Sequence, residues 1–428
     1  MNDSGIEGRG EMSESDIARG QIDKLRPLPR ISIQAFFETE GLLRTIERCG
    51  EDRRMAKVNL RVNKGGLPAA INMFASHPTP NLIILESDGD RATLLGELEQ
   101  LAEVCDASTK VVIVGHQNDV GLYRELIRNG ISEYIVAPVS LADLIGVITA
   151  IFVDPEAEPL GRTIAFVGAK GGVGSSTMAH NCAFAISNLF SEEVILADLD
   201  MPFGTANINF DQDPPQGMSE AVYSPERLDD VFLDRLLAKC SERLSMLAAP
   251  SMLDRTYDFD PSAFMPMVEV VQRSAPVAVL DVPHIWTDWA RNLLSSVDQV
   301  VITAVPDLAN LRNTKNMLDV LKKMRPNDQL PHLVLNQVGL PKRPEITPAD
   351  FCDPLGIEPI AILPFEAALF GSAANSGRMI SEIDAKSATA ETISQIAHVV
   401  TGRAEAKKRK KSGLPDLMSL LGRKKAAR

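Results

Sequence analysis

Apolar residues along this chain gather into short runs of strand length, separated by stretches with helical spacing, and the alternation occurs in two series. In the first, strands are expected at residues 30–37, 57–62, 81–86, 110–115 and 133–136, with a helix over 41–49 and helical periodicity in the other gaps. The second opens with a strand at 163–167 and a helix over 176–190. It continues through apolar runs at 193–200, 276–283, 299–306, 332–336 and 362–365. Near-continuous apolar strands alternating with amphipathic helices predict parallel sheets covered on both faces. The fold class expected is α/β, with two doubly wound parallel-sheet domains.

The 428 residues allow two or three domains at roughly 100–200 residues each. Residues 1–28 are polar and read as a disordered lead, 29–153 as the first domain, the acidic, proline-bearing 154–161 as a linker, and 162–402 as the second domain. The chain is 45% hydrophobic and 24% charged, with no apolar run near the roughly 20 residues that cross a bilayer. The polar start predicts no signal peptide. Five cysteines without metal or redox spacing suit a reduced cytoplasm, and the six dispersed histidines predict no metal cluster.

Residues 403–428 change character. From 401 onward ten basic residues stand against two acidic ones, although the whole chain carries −13. Between the two basic clusters, Leu417, Met418, Leu420 and Leu421 form one apolar helical face. Such a tail reads either as an anchor on anionic lipid at the inner-membrane surface or as a solvated extension. The acidic body argues against nucleic acid as a partner.

The candidate chemistry lies at the strand-to-helix turn Val167-Gly-Ala-Lys-Gly-Gly-Val-Gly-Ser-Ser-Thr177. Glycines there let main-chain N–H groups of residues 171–176 curl around phosphate oxygens at a helix N-terminus. Ala169 fills the first glycine place of the general phosphate-loop pattern, and Ser175 stands where its lysine belongs. On these residues alone, a glycine-rich turn in some other α/β protein stays open. Downstream, Asp198 and Asp200 are expected to point the same way off a strand, placed to hold Mg²⁺ or to position an attacking water. Asp281 ends another buried strand. For each carboxylate the plainer alternative is a helix cap, favoured most for Asp198.

The run K-G-G-x-G with its early lysine resembles the deviant phosphate loop of the MinD/ParA ATPases. The resemblance implies ATP and Mg²⁺ as cofactors and a homodimer, with Lys170 reaching across to the partner's nucleotide. It nominates Ala169, Lys170, Gly171, Gly172, Val173, Gly174, Ser175, Ser176 and Thr177 around the phosphates and Asn336 at the adenine. It further implies Ser176 and Asp281 at the metal and Lys170 and Asp200 in catalysis. Residues 362–365 and 373–377 resemble the family's closing strand and adjoining loop.

Residues 119–139 resemble the last third of a response-regulator receiver domain. A working receiver needs an acidic pair, an aspartate acceptor, a hydroxyl and a lysine. Those places hold Phe37 and Glu38, Glu86, Gly115 or His116, and Ala137. Phosphoacceptance is therefore not expected, and the domain reads as a docking or dimerisation module. Glu86 stands either as a mimic of a permanent charge or as an ordinary strand-end residue. A degenerate receiver followed by A-K-G-G-V-G-S-S-T is the arrangement of the CpaE/TadZ pilus-assembly proteins. That implies a localisation factor for Flp/Tad-type pili that recruits the pilus secretion ATPase and other Tad/Cpa components. The implied location is cytoplasmic, peripheral to the inner membrane, at a cell pole. Loss of the loop lysine predicts slow or absent hydrolysis. Two alternatives are an active partitioning ATPase for DNA or protein cargo, and a phosphorylation-switched signalling protein, against which Glu86 and Ala137 argue.

Overall fold

The computed structural model describes residues 25–154, 160–254 and 256–403. Five strands, β1 (Ser32–Phe37), β2 (Asn59–Lys64), β3 (Leu82–Ser87), β4 (Lys110–Gly115) and β5 (Glu133–Val136), form a parallel sheet in the order β2-β1-β3-β4-β5. Along β3, Leu82 and Ile84 enter one apolar cluster and Ile83 and Leu85 the other, as period-2 alternation requires of a strand buried on both faces. Helices α1 (Glu40–Gly50) and α5 (Leu141–Phe152) cover the first face; α2 (Gly66–Phe74), α3 (Arg91–Val104) and α4 (Val120–Arg128) cover the second.

The second sheet runs β13-β12-β11-β6-β10-β7-β9-β8. Its strands are β6 (Arg162–Gly168), β7 (Val194–Asp198), β8 (Ala238–Lys239), β9 (Leu244–Leu247), β10 (Val277–Val282), β11 (Gln299–Ala304), β12 (His332–Val338) and β13 (Pro359–Pro364). All pairings are parallel except β8 with β9. The two-domain doubly wound α/β class holds. Helix α6 (Ser175–Phe190) follows β6 and packs its Met178, Ala179, Cys182 and Ile186 onto one face, together with α8 (Ala388–Thr401); α7 (Leu308–Met324) lies on the other face.

Three sequence expectations shift. Leu28 is 1% exposed and its N–H donates to the Arg54 carbonyl, so the end of the polar lead packs against the first sheet; residues 1–24 lie outside the described residues. Strand β7 stops at Asp198, and Asp200 sits in the turn beyond it, which removes the shared strand direction expected for the pair. Residues 373–377 end a helix, Ala367–Ser376, closed by Gly377 at φ 61°. Its run of alanines favours helix over loop, and glycine supplies the left-handed cap. The edge strand β8 and its neighbour β9 were not expected from the pattern; they are only two and four residues long.

A buried ion-pair network joins the sheets. Arg53 meets Asp298 at 2.9 Å and Asp328 at 3.0 Å, Arg54 meets Asp52 at 3.0 Å and Asp328 at 3.2 Å, and Arg325 closes on Asp328 at 3.1 Å. Burial works against the charge on Asp298, yet Arg53 and the N–H and hydroxyl of Thr163 hold its carboxyl below the usual range. Thr163 is the second residue of β6, the strand that leads into the phosphate loop, so the first domain is tied to the base of that strand. Among the described residues no helix is long and apolar enough to cross a membrane.

Candidate functional site

The loop between β6 and α6 is pinned from beneath and open above. Ala169 donates its N–H to the Thr303 carbonyl at 2.8 Å and accepts from Asn313 at 2.8 Å. Asn336 Nδ2 donates to the Val173 carbonyl at 2.8 Å, and Gln337 Nε2 donates to that of Gly172 at 3.0 Å. Gly172 and Gly174 adopt φ of 81° and 88°, a region that disfavours side chains. A Cβ at Gly174 would lie 2.5 Å from Asn336 Nδ2, whereas one on Gly171 or Gly172 would meet nothing. The glycines thus serve two ends, close packing below and an unobstructed cradle above.

That cradle opens on a cleft of about 930 Å³, lined by Gly168, residues 170–177, the segment 199–203 with Asp200, the loop after β10 and an aromatic wall of Tyr257, Phe259 and Trp289. Of the residues expected at the phosphates, Lys170 to Thr177 line it; Ala169 is buried behind and holds the loop. Lys170 is exposed; burial raises the Asp307 carboxyl, but the Asn310 N–H and side chain outweigh this, and the Lys170 charge adds to the lowering. The Ser175 hydroxyl is buried without a hydrogen-bond partner. An orphaned donor beside open glycine amides is what a phosphate oxygen would complete, so the loop fits the phosphates of a nucleotide.

Asn336 is 4% exposed; its Nδ2 goes to Val173, and its Oδ1 accepts from Gln337 N–H at 2.8 Å. Both ends of the amide are engaged within the chain, so here it acts as a brace for the loop. Asp198, 1% exposed, accepts from the N–H groups of Asp200 and Ala206, each at 3.1 Å, in keeping with the capping alternative. Burial first and Asp281 second push its carboxyl well above the usual range, and His180 partly opposes this. Asp200 lines the cleft and accepts from Phe203 N–H at 3.1 Å; burial raises its carboxyl as well. Asp281, at the end of β10, lies 3.2 Å from His180 Nε2 on α6. Ser176 is half-buried at the start of α6. Ser176 lines the cleft, where its hydroxyl would meet a metal beside the phosphates and a divalent cation would supply charge neutralisation, whereas Asp281, 3% exposed, is not among the lining residues.

Sequence reasoning missed His284. It lines the cleft, and its Nδ1 lies 2.8 Å from the Gly168 carbonyl. Because that carbonyl only accepts, Nδ1 carries the proton, and a neutral ring leaves Nε2 as an acceptor. The available signal was its place three residues past the strand-end Asp281.

The acceptor place of the first sheet is built differently. Glu86 is fully buried; its Oε2 accepts from Glu38 N–H at 2.7 Å and Thr39 N–H at 2.8 Å, its Oε1 accepts from the Thr39 hydroxyl at 2.6 Å, and His116 Nε2 stands 3.2 Å away. Burial raises its carboxyl, but the Thr39, Glu38 and His116 contacts outweigh this and leave it low. His116 rather than Gly115 therefore faces the carboxylate. A Cβ on Gly115 would collide with the Tyr134 hydroxyl, which donates to the Gln117 carbonyl at 2.7 Å.

The chain matches no family model. It is 41% identical to a pilus assembly protein CpaE from Caulobacter crescentus, over 30% of this chain and 98% of that one, with a TM-score of 0.30. A ParA-family ATPase from Chlorobium tepidum shares the fold at 23% identity, over 55% of this chain and 98% of that one, with a TM-score of 0.51. The septum site-determining protein MinD of Bacillus subtilis is 23% identical over 190 residues; the match spans 42% of this chain and 66% of that protein, just under two thirds of its length. At 41% identity over 98% of the crystallised Caulobacter chain, which corresponds to 30% of this one, this chain belongs to the CpaE family of pilus assembly proteins.

Proposed function

We propose that this protein is a localisation and assembly factor for Flp/Tad-type pili. In this reading it binds ATP with Mg²⁺, pairs with a second copy, and brings the pilus secretion ATPase and other Tad/Cpa components to the inner-membrane surface, at a cell pole. The observation that carries the nucleotide part is the buried, unpartnered Ser175 hydroxyl beside the open Gly171 and Gly172. Main-chain amides of the loop orient the phosphates, and Ser176 offers its hydroxyl to the metal. Lys170, exposed at the rim, is available to a partner's nucleotide. Phe203 and Ile285, 67 and 40% exposed, line the same cleft, and apolar groups so placed favour a covering surface. The basic tail assigned to membrane contact lies beyond Arg403, outside the described residues.

Ser175 offers a hydroxyl where a lysine would offer a charge, so the site favours binding over turnover. Deletion and complementation in a pilus-forming host test the reading. Wild-type chain is expected to restore surface pilin and form a focus when fused to a fluorescent protein, while Lys170→Ala gives diffuse signal and little pilin. Unchanged piliation in the deletion strain would reject it, and rapid ATP turnover by the purified protein would favour a partitioning ATPase instead.

A further inference from the structure

The six histidines are dispersed in sequence, yet the fold buries one of them between two aspartates. His180 on α6, Asp198 at the end of β7 and Asp281 at the end of β10 are 0, 1 and 3% exposed, and one ligand atom from each lies within 4.8 Å of the others. His180 Nε2 is 3.2 Å from Asp281 Oδ2 but makes no aligned hydrogen bond. That separation is close to what two ligands sharing one metal at about 2.1 Å each would show. Among the described residues neither carboxylate has a lysine or arginine ion pair, and a buried, uncompensated pair of carboxylates is costly.

We propose that His180, Asp198 and Asp281 form a binding site for a divalent transition-metal ion such as Zn²⁺, filled without nucleotide. An imidazole beside two carboxylates selects such ions over Mg²⁺, which prefers oxygen ligands and keeps its waters. The second sphere is present as well. Asn209 Nδ2 lies 2.9 Å from His180 Nδ1; with the amide turned over, its Oδ1 accepts an Nδ1 proton and leaves the Nε2 lone pair for the metal. Asp198 keeps its two main-chain N–H donors, which fix the carboxylate.

The test uses the full chain, stripped with a chelator and free of nucleotide, titrated with Co²⁺. One equivalent is expected to bind with visible d–d absorption, to be displaced by Zn²⁺, and to be indifferent to millimolar Mg²⁺. His180→Gln is expected to abolish the band and reduce Co²⁺ affinity at least 100-fold. If that variant does not fold, Asp281→Asn, which keeps the side-chain shape, is expected to weaken Co²⁺ at least tenfold. No stoichiometric uptake by the wild type, or a band that survives both substitutions, would overturn the site. Because ATP is absent throughout, either result leaves the nucleotide reading to be judged separately.

Discussion

The two sheets each carry a place where anionic oxygens meet main-chain N–H groups, and they treat it in opposite ways. At the end of β3 the anion belongs to the chain: Glu86 reaches the amides of Glu38 and Thr39 with its own carboxylate. At the end of β6 the loop lines a cleft, and the Ser175 hydroxyl is left without a partner. A site that satisfies itself has a fixed charge state and needs no ligand. One built from glycine N–H groups with an orphaned hydroxyl remains unsatisfied until an anion arrives. The first region has thus become structure, while the second keeps the form of a binding site with its lysine removed.

Substitution should separate the two sharply. Glu86→Ala leaves the N–H groups of Glu38 and Thr39 and the Thr39 hydroxyl without their acceptor and empties a fully buried position, and is expected to cost about 3 kcal/mol in urea unfolding, with nucleotide affinity unaffected. Next comes Gly174→Ala: the positive φ and the clash with Asn336 should cost about 1–3 kcal/mol and abolish nucleotide binding, whereas Gly171→Ala, in open space, should weaken binding with little loss of stability. Gly115→Ala pushes Tyr134 from its seat and is expected to cost about 1–2 kcal/mol, with a changed near-ultraviolet circular dichroism signal. Ser175→Lys should tighten ATP by about tenfold, near 1.4 kcal/mol.

A smaller effect concerns pH. The Glu86 carboxyl is held below its ordinary value of 4.5, so its stabilising effect is present above that value and is lost as pH falls through the lower folded-state value. Wild type should therefore lose more stability than Glu86→Gln as pH falls below 4.5, measured by unfolding at each pH. Equal losses would mean that the buried contacts do not favour the ionised form.

Much of this contrast could be read from the chain, because strand positions follow from apolar runs. The expected strands at 110–115 and 133–136 coincide with β4 and β5. The phosphate loop was legible because its glycines sit together in sequence. What could not be read depends on partners far apart in the chain. His180 and Asp281 are about a hundred residues apart, and nothing local marks them as neighbours. Asn336 sits beside the loop as its strand position suggests, but its buried amide is taken up by Val173 and Gln337. Asp200 left the strand because β7 stops at Asp198, where that carboxylate begins capping the turn. Glu86 was open between two readings until its contacts with Glu38, Thr39 and His116 were in view.

The central claim is that a main-chain cradle without its customary lysine still holds a nucleotide and thereby pairs two chains. Isothermal titration of the full chain with ATP and Mg²⁺, followed by sedimentation of the same samples, tests it most directly. The account predicts saturable binding, tighter in Ser175→Lys, with a shift from monomer to dimer. No heat and no change in sedimentation, in wild type and Ser175→Lys alike, would contradict it.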